Sequence, residues 1–433
     1  MSTQSFHPQN SELPAVASPN DWLARNRRWR RLLVTVSCLV LLWAGIVFAF
    51  LGKKQISYSA PLATTDAPTG APHTYRAGPG PWGELHYTRI RVEIPDKLLP
   101  PNFAQPRPLR WHFKGMTGES VLALFSAASL SAEQRADLCD TTRWQVDLDG
   151  FTLLPSPQTI LGLGPTARAM IYATLAQFPE NIPQNSPAIF RANLADEWFD
   201  RSSLSPATIS LVKKLLYRRG TSVMFADYDV VLPMLPDDRE KRRLMKTLSR
   251  ESTLLVKLRL TDETDLDALV AYWGVGGYEQ NVQALLASVP ADENGFDVDI
   301  AHLLPPFARK RLYTYPPAVA HQDGVNRDCH WTTMNFFAET ADNRFGDTAQ
   351  VLEELKENYV QIARPTQLGD VILFVTPAQT CIHSCVFIAD DIVFTKNGAN
   401  YTKPWILMEL ADLKALYSNY GAFTLRFFRR KGL

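Results

Sequence analysis

A surplus of either charge is missing from this 433-residue chain: 45 Lys and Arg stand against 44 Asp and Glu, a formal net charge of +1. A nucleic-acid binder needs a basic excess to neutralise phosphates, so the balance gives no electrostatic case for that partner. Cysteine is scarce too. The five, at 38, 139, 329, 381 and 385, are too thinly spread for a disulfide scaffold, and no CxxC pair offers a metal site. Residues 86–310 contain no repeat and no catalytic motif. What is present is globular: a hydrophobic share of 46% and a charged share of 21% over a length that suits two to three domains.

Residues 1–31 form a polar tail that ends on Arg25, Arg27, Arg28, Arg30 and Arg31, and residues 32–52 then carry no charge at all. At about 1.5 Å per residue that run spans a hydrocarbon core of roughly 30 Å, so one N-terminal transmembrane helix is expected, with a buried core helix as the alternative. Arginines before the run outnumber the lysines at 53 and 54, which puts the N-terminus in the cytoplasm and the rest outside it. The expected localisation is the inner (cytoplasmic) membrane, single-pass, with extracytoplasmic (periplasmic) domains. Residues 53–85, rich in Pro, Ala, Thr and Gly, read as a spacer.

Residues 86–310 read as a mixed, mainly helical domain. A strand is expected over 85–94 and another over 252–260. Ser131 with Gln134 makes a capping-box pattern. Ser205, Pro206 and Gly220 bracket a helix over 206–219. A charged helix is expected over 237–249, and further helices over 265–273 and 278–289.

Residues 311–433 carry the chemistry. Three β-branched and aromatic runs, 371–376, Cys381–Ala389 and Ile392–Lys396, read as strands. His383 lies in the second. Upstream, Asp328-Cys329 opens a helical stretch. This order resembles the NlpC-type cysteine peptidases of bacterial cell walls, a branch with a papain-like fold. The resemblance rests on Asp328-Cys329 at a helix start, Gly369-Asp370 leading into the first strand, and His383 starting a strand that soon turns back. It covers about residues 310–420. His330-Trp331 stand where the family has Ser-Gly, and the upstream Trp-Gly-Gly loop is missing. The resemblance implies a papain-like α+β domain and peptide stems of peptidoglycan, or another envelope peptide, as substrate. It also makes Tyr315 the candidate to bind the substrate carbonyl, with Tyr313 and a core role as alternatives.

The residues themselves support a thiol reading. A thiolate at Cys329 would be favoured by a helix N-terminus and a neighbouring imidazole, and disfavoured by Asp328 if that carboxylate faced the sulfur. The first-turn N–H groups, with His330 beside them, are candidates to hold an oxyanion. Cys381, His383 and Cys385 alternate onto one strand face, but Cys381 and Cys385 are about 13 Å apart at strand spacing, which argues against one tetrahedral metal ion. A three-residue loop at 389–391 would set His383 against Asn397, making Asn397 the residue that orients the ring and Thr395 the second candidate. A two-residue turn would set His383 against Gly398 and expose Lys396. The expected fold class is therefore α+β: one N-terminal transmembrane helix, a mainly helical middle and a papain-like C-terminal domain. The expected function is a membrane-anchored envelope thiol hydrolase, an endopeptidase or amidase with the Cys329–His383 dyad, Asn397, Tyr315 and His330, and no cofactor or metal. An acyltransferase or lipid deacylase on the same dyad, and a non-catalytic scaffold, are the alternatives.

Overall fold

The computed structural model describes residues 73–99, 108–191, 198–200, 202–220, 222–289, 295–317 and 323–433, all within the compact unit Ala71–Leu433. Among the described residues, sixteen strands run in chain order: β1 (Thr74–Arg76), β2 (Glu84–Val92), β3 (Trp111–Lys114), β4 (Gln145–Asp147), β5 (Gly150–Leu153), β6 (Ala188–Arg191), β7 (Tyr217–Arg219), β8 (Ser222–Phe225), β9 (Glu251–Leu260), β10 (Phe296–Asp299), β11 (Tyr359–Ile362), β12 (Val371–Val375), β13 (Cys381–Ala389), β14 (Ile392–Lys396), β15 (Trp405–Glu409) and β16 (Thr424–Arg430). They form four sheets, ordered β1-β2-β9-β10, β3-β5-β4, β6-β8-β7 and β11-β16-β12-β13-β14-β15. Every ladder pairs antiparallel.

The expected fold class needs correction. The described residues form a mixture of helices and antiparallel sheets; in the middle region helices hold more residues than strands, with β2 to β10 also falling within or across it. Several of these strands have three or four residues, too short to show a period of two. No helix among the described residues is long and apolar enough to cross a membrane; the segment expected to do so, 32–52, lies outside them. The spacer over 53–85 also needs correction at its end, because Thr74–Arg76 pairs with β2 and Trp82 is buried, its ring packed edge-on to Tyr272 and Phe387.

Local signals read from the sequence recur where capping chemistry fixes them. Ser131 accepts from the Gln134 N–H while the Gln134 side chain accepts from the Ser131 N–H. Helices Asp238–Leu248 and Leu266–Trp273 start on the caps Asp237 and Asp265. The helix expected over 206–219 stops at Lys214. Its last residues become β7, and Gly220, at φ 58°, turns the chain into β8 instead of ending a helix.

One hydrophobic core joins β2 and β9 to the six-stranded sheet and includes residues from Leu85 to Leu413. The join is also polar: Thr253 Oγ1 donates to Leu407 O and accepts from Leu407 N–H at 3.0 and 3.1 Å. Tyr313 N–H donates to Trp405 O at 2.8 Å, and Trp405 N–H returns to Thr314 O at 3.1 Å. This bracing holds β15 and, beside it, the β13–β14 hairpin that carries the candidate site.

Candidate functional site

Gly369-Asp370 leads into β12 as expected. Gly369 has φ 93°, and a Cβ there would stand 2.2 Å from the Phe337 ring. Asp370 anchors the turn: it accepts from the N–H groups of Thr366 and Gln367 and pairs with Arg429. β13 then runs antiparallel to β12 with Phe374 opposite His383 and Val375 opposite Cys381. The irregularity leaves Ile382 as an extra residue, a β-bulge. It puts Cys381 on the Val375 face while His383 and Cys385 share the face of Phe374 and Ile372. The expected single face for Cys381, His383 and Cys385 is therefore corrected, and no group of three His, Cys, Asp or Glu suited to a metal ion occurs among the described residues.

The β13–β14 turn combines both readings made from the sequence. Asp390 and Asp391 form a two-residue turn closed by Ala389 and Ile392, but a second bulge follows, so Phe387 faces Val393 and Val386 faces Phe394. That is the register of the longer loop. The ladder ends at Val386–Phe394, and beyond it β13 and β14 part. Phe387 N–H points to the β12 side, where Asp370 O accepts it. By alternation the Ser384 N–H points to the β14 side, into the gap.

Beside the gap lie Cys329, His383 and Thr395. Cys329 opens the helix Cys329–Met334, capped by Asp328, whose carboxylate accepts from the His330 and Trp331 N–H groups. The Ser384 N–H lies close enough to the Cys329 thiol to oppose the rise in its pKa. The sulfur therefore sits beside the strand one peptide from His383. The His383 ring is fully buried. Its Nε2 lies 3.0 Å from Thr395 Oγ1, and its Nδ1 is buried with no hydrogen-bond partner. The ring stacks on Tyr417 of the helix Leu410–Ser418 at 4.1 Å between centroids and meets Phe374 edge-on at 5.3 Å. Thr395, the second candidate, is thus the direct partner of the ring. Asn397 is one step removed: its Oδ1 accepts from Thr395 Oγ1 at 3.5 Å and its Nδ2 points at Met408 Sδ.

Electrostatics hold the pair neutral. Burial, and then the Asp328 carboxylate, push the Cys329 thiol up to about 12, while the Ser384 N–H pulls the other way. Burial, reinforced by the nearby His330, drops His383 well below the usual histidine range. The expected thiolate at a helix start is not preformed. The helix has only six residues, and its cap brings a carboxylate close to the sulfur.

His330 Nδ1 lies 2.9 Å from Ser384 Oγ, which donates to Thr333 Oγ1. His330 thus ties the helix to β13 through one ring nitrogen. Tyr315 packs with Ile94, Leu98, Leu99 and Tyr401 in a small cluster of its own, its hydroxyl buried without a partner. Tyr313 donates its hydroxyl to Leu254 O and is structural. His321 lies outside the described residues.

Sequence reading missed two features. Lys396 is fully buried on the face toward the cysteine helix, opposite Trp405. Its Nζ donates to Gly398 O at 2.6 Å and Asn400 O at 3.0 Å, and burial pulls the ammonium down to about 7 against the opposing pull of Cys329 and Asp328. The second feature is a cleft of about 470 Å³ bounded by residues 324–327, 399–401 and Pro316. Its walls are the segment just before Cys329 and the loop that Lys396 holds. The lysine in an otherwise apolar strand was the available signal for the first; nothing local marked the second. Comparison with protein-family models, curated proteins and solved structures finds no match for this chain.

Proposed function

We propose that this chain is a thiol-dependent hydrolase of amide bonds, with Cys329 as nucleophile and His383, oriented by Thr395, as its base. One observation carries the reading. The Cys329 thiol lies near the Ser384 N–H of β13, and the neighbouring His383 has one ring nitrogen held by Thr395 and the other, Nδ1, without a hydrogen-bond partner. A base oriented on one side and open on the other is what a nucleophile's proton requires. In the reaction Cys329 Sγ bonds to the carbonyl carbon, its proton passes to His383 Nδ1, and that proton leaves on the amine as the C–N bond breaks. Water then cleaves the thioester and restores the thiol. Burial favours the neutral thiol and neutral imidazole before substrate arrives, so proton transfer accompanies attack instead of preceding it. The NlpC resemblance makes peptidoglycan stem peptides the first substrates to try.

The test is release of fragments from peptidoglycan peptides by the full chain, with acyl-Cys329 sought by mass spectrometry. Cys329→Ala should abolish both, and cleavage that survives it refutes the reading. A second reading, a non-catalytic binding protein that keeps Cys329 and His383 as packing, draws on the burial of the sulfur, which is only 6% exposed. It predicts no adduct with any acyl compound, lipid or peptide.

A further inference from the structure

Three cations gather behind the cysteine helix, and the proposed reaction uses none of them. Arg311 ends the helix Pro306–Arg311. Its guanidinium carbon lies 4.0 Å from the centre of the Phe307 ring, 5.2 Å from that of Trp331 and 5.6 Å from that of Trp405. Trp331 is two residues beyond Cys329, and its ring is 6.3 Å from that of Trp405. Arg327 approaches the same Trp331 ring at 5.7 Å, and Lys396 Nζ approaches Trp405 at 5.9 Å.

The carboxylates do not match these charges. Asp323 pairs with Arg327, and Lys396 is held by two carbonyls. For Arg311 there is no carboxylate within ion-pair distance among the described residues; its charged neighbour is Arg327, and burial with that like charge lowers its affinity for its proton. Aromatic faces steady a guanidinium but leave its N–H edge unused. That edge carries up to five donors in a plane, a shape that matches the two oxygens of a carboxylate or two of a phosphate. Among the described residues that line the cleft before Cys329, Arg327 is the one charged side chain, and it is paired with Asp323.

We propose that Arg311, with Arg327, forms an oxyanion-binding subsite beside Cys329, and that the substrate of this site carries a carboxylate or phosphate group near the bond that is cleaved. The inference deepens the thiol-hydrolase reading and rests on it for the word substrate; the binding of an oxyanion stands apart from catalysis. A ligand anion would replace water at the unpaired guanidinium edge and offset the repulsion between the two arginines. Lys396, by holding Gly398 and Asn400, fixes the opposite wall.

The test uses the full chain with Cys329→Ala, so that binding is read without turnover. It is titrated with an N-acetyl dipeptide bearing a free C-terminal carboxylate, with the C-terminal amide of the same dipeptide, and with inorganic phosphate. Binding is followed by tryptophan fluorescence, since Trp331 and Trp405 border the site, and by calorimetry. The peptide acid or phosphate should bind at least tenfold tighter than the amide, and a tighter grip on one of the two oxyanions identifies its source. Arg311→Gln should bring that preference below threefold, and raised salt should weaken oxyanion binding in the parent chain. Equal affinity for acid and amide together with no phosphate binding overturns the proposal, as does a preference that survives Arg311→Gln. Where Arg311→Gln does not fold, the salt dependence decides, and an affinity indifferent to ionic strength overturns it. Failure of the thiol chemistry would show separately, as retained cleavage after Cys329→Ala.

Discussion

Lys396 should make the folded state more stable as pH rises through neutrality. In the unfolded chain a lysine holds its proton to about pH 10.4, whereas in the fold burial pulls Lys396 down to about 7. Between those values the unfolded state binds more protons, so unfolding free energy rises with pH. The folded side chain is already half deprotonated at pH 7, and integrating the difference from pH 7 to 8 gives a gain of about 1 kcal/mol. The rise should flatten above about pH 8.5. There the unfolded thiols begin to ionise, while those of Cys139, Cys329, Cys381 and Cys385 are all pushed up in the fold, which reverses the sign. His383 and His330, both lowered by burial, act below pH 7, where falling pH protonates the unfolded imidazoles first and costs stability. The assay is urea unfolding of the full chain under reducing conditions, followed by tryptophan fluorescence, at pH 6, 7, 8 and 9. Lys396→Met removes the titrating group and should flatten the curve between pH 7 and 8. A rise of the same size in the parent and the variant would refute the account of Lys396.

Two further predictions follow from the same region. Thr395→Val keeps the volume but removes the partner of His383 Nε2; leaving that buried nitrogen unpaired should cost about 1–3 kcal/mol in the urea midpoint and lower turnover of peptidoglycan peptides by about tenfold or more, whereas Asn397→Ala, one step further from the ring, should cost less in both assays. Gly369→Ala places a methyl against Phe337 at a left-handed backbone position and should lower stability by more than about 1 kcal/mol, seen as an earlier thermal midpoint; an unchanged midpoint would mean that the Gly369 turn does not constrain β12.

The sequence by itself determined the features that a few neighbouring residues can fix. The Asp328 cap of the cysteine helix, the Ser131–Gln134 capping box, strands β13 and β14 and the helix that begins at Pro206 were all legible, because caps, turns and short-range periodicity act within one or two turns of chain. Tertiary structure decided whatever depends on distant partners. The short strands β3 to β8 exist only because each finds an antiparallel neighbour, and residues 217–219 became a strand although their composition allowed a helix. Bulges were equally hidden. One extra residue at Ile382 moved Cys381 off the His383 face, and one near Ile388 restored the register of a longer loop; Thr395 and not Asn397 partners the ring because the ladder ends at Val386–Phe394 and does not carry that register as far as His383. The protonation of the site was the least legible. Cys329 at a helix start reads as an activated thiol, but its acidity is governed by desolvation, and desolvation is a property of everything packed around the sulfur.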